Sequence, residues 1–168
     1  MTNNDCLRRI RYIFDFNDTK MMALFALADH TVSRAEISDW LKRDDDPDYQ
    51  DCSDKMLATF LNGLISEKRG KKPGVQIEPE SRLNNNIIFR KLKIALDIQS
   101  DEILLMLESN DLTLSKHELS AFFRRPTHKH YRECKDQVLR NFLKGLQLRF
   151  RGEDEKEAPF DWNDRKQP

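Results

Sequence analysis

Residues 116 to 134 hold the densest run of side chains in this chain that could bind something: Lys116, His117, Ser120, Arg124, Arg125, His128, Lys129, His130, Arg132 and Cys134. Guanidinium and ammonium groups at this density suit phosphate oxygens, which makes a nucleic-acid backbone one natural partner. Two histidines and a cysteine are also part of a transition-metal ligand set, but no fourth ligand arrives in register, so no metal is expected. The acidic run Asp44-Asp45-Asp46-Pro47-Asp48 suggests calcium. Calcium loops use a central glycine and a distal glutamate, and neither stands at the required spacing. The sequence shows no glycine-rich phosphate loop, no nucleophile beside an activating base and no carboxylate pair forced to converge. The expectation is a non-enzymatic protein with no catalytic residues and no cofactor.

The elements that position these residues are written twice. Residues 3 to 70 recur as 85 to 152 at a constant offset of 82, without insertion or deletion and with 20 of 68 positions identical. An arrangement present in both copies belongs to the fold, and one present in a single copy belongs to a site or to the surface. Each copy reads as four short helices. Helix A starts after Asn3-Asn4 or Asn85-Asn86, taken as caps, and carries the stripe Leu7, Ile10, Phe14 or Phe89, Leu92, Leu96. Helix B starts near Asp18 or Ser100 and stops at a polar corner, Asp29-His30-Thr31 or Asp111-Leu112-Thr113. Helix C opens with a capping box, Ser33-Arg-Ala-Glu36 or Ser115-Lys-His-Glu118, and ends in a basic pair, Lys42-Arg43 or Arg124-Arg125. Helix D contains Gly63 or Gly145, each costing about 1 kcal/mol relative to alanine, so a second helix backbone is expected close by.

The expected fold is all-α: two tandem, homologous four-helix domains with helix-turn-helix-like geometry. Residues 1–72 form the first repeat, 73–84 a linker with two prolines, 85–152 the second repeat, and 153–168 a mobile acidic tail whose large apolar residues are Phe160 and Trp162. The net charge of zero sums unlike parts: the first repeat has 10 basic and 13 acidic side chains, the second 13 and 8. A polyanion would therefore prefer the second repeat. Three cysteines cannot pair completely and read as small buried residues of a reducing compartment. No apolar run reaches the roughly 20 residues of a membrane span, and the first residues lack a signal peptide, so the cytoplasm is expected and no membrane partner.

The segment from Val32 to Arg43 resembles the turn and second helix of a helix-turn-helix unit, with Ser33 as the cap and Ile37 and Trp40 turned inward. The second copy repeats the pattern with Leu114, Ser115, Leu119 and Phe122, lacks the acid at Asp39, and adds positive charge. Its expected nucleic-acid contacts are Lys116, His117, Ser120, Arg124, Arg125, Lys129 and Arg132. A second polar set, Arg8, Tyr49 and Asp54 with their equivalents Arg90, Tyr131 and Asp136, is expected to hold the interhelical loop by hydrogen bonds.

The doubled motifs Asn-Asn, Ser-x-x-Glu-x-Ser, Tyr-x-x-Cys and Phe-Leu-x-Gly-Leu resemble those of the bacterial YehS family, a tandem domain of unknown function, over residues 3 to 152. That resemblance implies a bacterial cytosolic protein and implies no activity. The functional expectation is a regulatory or adaptor protein that contacts nucleic acid through the second repeat. The competing reading is a protein-interaction module, with apolar residues around Trp40 and Phe122/Phe123, or the Phe160/Trp162 tail, meeting a partner. Oligomeric state is open at this level.

Overall fold

The computed structural model describes residues 1–71, 74 and 77–152, and among these it contains eight helices and no strand. The first repeat supplies α1 (Asn3–Phe14), α2 (Asp18–Leu27), α3 (Arg34–Leu41) and α4 (Asp54–Arg69). The second supplies α5 (Asn85–Leu96), α6 (Ser100–Glu108), α7 (Lys116–Ala121) and α8 (Asp136–Arg151). The chain is all-α and built from two tandem four-helix repeats, as the duplicated pattern requires. The expected Phe160/Trp162 tail lies outside the described residues.

Helix starts follow local chemistry, with two shifts from the sequence reading. Thr2 and Asn84, rather than the Asn-Asn pairs, cap α1 and α5, each accepting a backbone N–H three residues on. The asparagine pairs fall inside the first helical turn and bond elsewhere. Asn17 caps α2, one residue before the expected Asp18. Both capping boxes of helix C form: Ser33 Oγ accepts from Glu36 N at 3.1 Å while Ser33 N donates to the Glu36 carboxylate at 3.1 Å, and Ser115 and Glu118 do the same at 3.1 and 3.2 Å. The helices behind these boxes are shorter than expected. Helix C ends at Leu41 and Ala121, so Arg43, Arg124 and Arg125 belong to the following loop.

Four aspartates identical between repeats have left-handed backbone: Asp15 at φ 53° and Asp97 at 51° end helix A, and Asp29 at 58° and Asp111 at 63° turn the corner after helix B. Aspartate tolerates this region better than most residues with a Cβ, so the B–C corner closes without glycine.

Gly63 and Gly145 mark where helix B crosses helix D. A Cβ on Gly63 would lie 1.8 Å from the carbonyl oxygen of Leu24, and one on Gly145 would lie 2.9 Å from Cβ of Met106. The helix propensity lost at glycine is thus offset by close packing of α2 on α4 and α6 on α8.

The repeats exchange partners. The contacts between repeats pair α4 with α5 and α1 with α8, so helix D of each repeat lies against helix A of the other. Buried Leu7, Ile10, Phe60, Leu61, Phe89, Leu92, Phe142 and Leu143 belong to one continuous core. Paired bonds across the junction show its pseudo-twofold character. Leu83 N donates to Asp54 at 2.9 Å, and the Met1 amine donates to Asp136 at 2.7 Å. Arg69 pairs with Asp97 at 3.0 Å, and Arg151 with Asp15 at 3.8 Å. The repeats also exchange signs: Lys20 on α2 pairs with Glu67 on α4, whereas Glu102 on α6 pairs with Arg149 on α8 at 3.5 Å.

Candidate nucleic-acid interface

A buried asparagine fixes the loop that carries most of the basic residues. Asn86, on the first turn of α5, donates to the carbonyls of Phe122 at 3.0 Å and Arg132 at 2.7 Å and accepts from Cys134 N at 2.9 Å. Asn4 does the same for Trp40, Gln50 and Cys52 at 2.8, 2.9 and 3.0 Å. The asparagine before each one donates to the carbonyl of the same cysteine at 3.0 Å and to Asp54 or Asp136 at 2.7 Å. One Asn-Asn pair per repeat therefore holds both ends of the C–D loop, with all three groups of the buried amide used.

Between these anchors the loop is tight: His128 N donates to Arg125 O at 2.8 Å, Tyr131 N to His128 O at 3.0 Å, and Arg132 N to Ala121 O at 3.2 Å. Held this way, Arg125, Lys129 and Arg132 project exposed side chains. Lys116, His117 and Ser120 are exposed on the single helical stretch of α7 before it. The seven expected contact residues thus share one short helix and the loop attached to it, but they are not equally available. Lys116 pairs with Asp101 at 3.1 Å, as Arg34 pairs with Asp18 at 3.6 Å in the other repeat. The Ser120 hydroxyl donates to the His117 carbonyl at 3.1 Å. Arg124 is half-buried and lies 3.4 Å from His128.

The equivalent loop has the opposite charge on the same backbone. Residues 42 to 51 hold two basic and five acidic side chains, and residues 124 to 133 four basic and one acidic. In the acidic loop the cations are engaged locally, Lys42 with Asp39 at 2.6 Å and Arg43 with Asp45 at 3.1 Å.

The second polar set is divided by the structure. Asp54 and Asp136 receive the asparagine bonds and the cross-repeat N–H groups just described. The Met1 amine and Asn85 hold the Asp136 carboxyl below its ordinary value. Arg8 is buried and pairs with Asp5 at 2.9 Å, whereas Arg90 stands exposed. The Tyr49 phenol is pushed up to about 12 by burial and by donating to Asp51. The residues that bind both loop ends are the Asn-Asn pairs, whose long-range partners leave no local sequence signal beyond their exact duplication.

Cys6, Cys52 and Cys134 are free and buried, and burial pushes each thiol up to about 12. Cys134 Sγ lies 3.7 Å from the carbonyl of Lys135. Among the described residues no three His, Cys, Asp or Glu side chains converge as a metal site. Trp40 and Phe122 are also buried: Trp40 packs on Phe25 with ring centroids 5.5 Å apart, and Phe122 on Phe89 at 6.4 Å. The apolar contact surface expected around them is therefore core. No described helix is long and apolar enough to cross a membrane.

A cleft of about 690 Å³ opens on the opposite junction, where residues 77–79 pass over α4 and α5, with Met56, Ile65 and Ile94 on its walls. Beneath the same segment, buried Lys91 donates to Asn62 and pairs with Glu80 at 2.9 Å.

No solved structure matches this chain. It is 43% identical over 150 residues to a protein of Escherichia coli (strain K12) named "Uncharacterized protein YehS", a match covering 89% of this chain and 96% of that one. A model of the family described as "Protein of unknown function (DUF1456)" matches twice, at residues 3–70 and 85–152, the same two segments that the duplication defines. The chain belongs to the DUF1456 family.

Proposed function

We propose that this is a non-enzymatic regulatory or adaptor protein that contacts the phosphates of nucleic acid through the C–D loop and α7 of its second repeat. The observation that carries the reading is the reversal of charge between two loops held by identical asparagine bonds. A requirement of the fold would act on both copies alike. Charge that differs while the anchoring stays fixed belongs to what the surface meets. The positive loop is bound to the core by Asn86, so its cations are presented with little ordering cost. Such contacts position a protein on a backbone and read no sequence, so binding of modest selectivity is expected.

The test uses the whole chain, because each repeat completes its core with the other. Duplex DNA is titrated with the unmodified protein and with the double variant Arg125→Glu/Lys129→Glu, followed by fluorescence anisotropy. The variant is expected to bind about tenfold or more weakly at low salt, since two cations become two anions. Its melting temperature should be unchanged, because both side chains are exposed. Equal binding by the two proteins, or none by the unmodified one, overturns the proposal; a protein-interaction module then becomes the better reading.

A further inference from the structure

One cation of the second C–D loop lacks every acid that its equivalent in the first loop faces. Lys42 pairs with Asp39 at 2.6 Å, and that hydrogen bond, with the charges of Asp48 and Asp46, holds its ammonium above the ordinary value. In the second repeat Asp39, Asp46 and Asp48 are replaced by Ala121, His128 and His130, and Lys42 by Arg124. The turn itself is kept. Asp46 accepts from Asp48 N at 2.8 Å, and His128 Nδ1 accepts from His130 N at 3.0 Å, so the imidazole holds the backbone as the carboxylate does. Arg124 has no carboxylate partner among the described residues, and its covered Nε makes no hydrogen bond there, so a ligand would meet its terminal nitrogens.

A neutral imidazole has one N–H and one acceptor nitrogen. The bond from His130 N makes Nδ1 the acceptor and leaves the hydrogen on Nε2, which faces Arg124 Nη1 at 3.4 Å. The other tautomer would set two N–H groups against each other at 3.0 Å, the shorter of the two distances. Two donors at the Nε2–Nη1 separation cannot bond each other, but one oxygen about 2.9 Å from each bridges them. His128 is exposed, as are Arg125 and Lys129 beside it, and Glu133 of the same loop is engaged with Lys135 at 3.3 Å.

We propose that Arg124 Nη1 and His128 Nε2 together hold a phosphate oxygen, a site that deepens the nucleic-acid reading and rests on it: in the bound duplex the oxygen belongs to a backbone phosphodiester. The oxygen takes the place that carboxylates occupy around Lys42, and a planar guanidinium suits it better than an ammonium would. The same chemistry accepts a free phosphate ion, so the experiment separates the two sources.

Two variants of the full chain test the site by fluorescence anisotropy with duplex DNA at about pH 8, where histidine is ordinarily neutral. Arg124→Lys keeps the charge, matches the residue of the first repeat and loses the fork. His128→Asn can hold the turn through its side-chain oxygen, as Asp46 does, and loses the Nε2 donor. Each should bind about fivefold to tenfold more weakly with its melting temperature unchanged, and neither should alter the slope of log affinity on log salt by as much as a full charge would. Unchanged affinity in either variant, beside weakened binding by Arg125→Glu/Lys129→Glu, overturns this site and leaves the loop contact standing. If the unmodified chain does not bind DNA, the nucleic-acid reading falls and inorganic phosphate decides the site. A saturable shift of the His128 ring nitrogens in heteronuclear NMR, absent with sodium chloride at equal ionic strength and absent in Arg124→Lys, supports a free phosphate ligand. No such shift overturns the inference.

Discussion

Asn4 and Asn86 each use one side chain to satisfy two carbonyls and one N–H of a loop 36 to 48 residues away. Replacing Asn86 by alanine leaves all three groups unpaired, two of them buried, and a loss of about 3 kcal/mol is expected in urea unfolding. Asn4→Ala should cost about the same, because its bonds are equivalent. Tyr49→Phe removes one phenolic donor to Asp51 and should cost only about 1 kcal/mol. The depressed Asp136 carboxyl gives a dependence on pH. Its contribution is present above the ordinary carboxylate value and is lost as pH falls through its lower folded value, so the protein should lose stability progressively below about pH 4. Asp136→Asn should flatten that acid limb in thermal melts collected from pH 5 to 2. None of the asparagine geometry was legible in sequence. Asparagine at a helix start normally reads as a cap, and its partners lie 36 to 48 residues along the chain; the exact recurrence of Asn-Asn with Cys52 and Cys134 was the available signal.

The helices were more legible, because their determinants are local. Ser33-x-x-Glu36 and Ser115-x-x-Glu118 specify their own geometry within four residues, and the paired aspartates specify the corners. Where helix C ends was not legible in the second repeat: Phe122 and Phe123 continue the helical stripe into a turn held by Asn86, whereas their equivalents Trp40 and Leu41 stay within α3. The glycines of helix D announced a close approach, and the structure adds an asymmetry. Alanine at position 63 would collide with the backbone of Leu24, which cannot yield without moving α2. At position 145 the alanine would press on the Met106 side chain. Gly63→Ala should therefore destabilise by about 2 to 3 kcal/mol net of the gain in helix propensity, and Gly145→Ala by clearly less. Urea midpoints of the two variants check the order; equal midpoints would mean that the two crossings are alike.

At the scale of the whole molecule, the duplication suggested two small units and did not reveal that helix D of each packs on helix A of the other. Amphipathic stripes show that a face is buried and are silent on which copy covers it. Because α4 meets α5 and α1 meets α8 within one core, the whole chain should unfold in a single calorimetric transition, and residues 1–72 alone should lack a cooperative one. Two separate transitions would show that each repeat is complete by itself. On this shared scaffold the surfaces remain free to differ, and the C–D loops do so in sign. The most direct measurement is the affinity of the intact protein for duplex DNA over a series of salt concentrations, beside that of Arg125→Glu/Lys129→Glu. A log–log plot should be steep for the unmodified chain, and its slope should fall by about two units in the variant as two phosphate contacts are lost. Parallel lines, or affinity that does not respond to salt, would contradict the assignment of the basic loop as the contact surface.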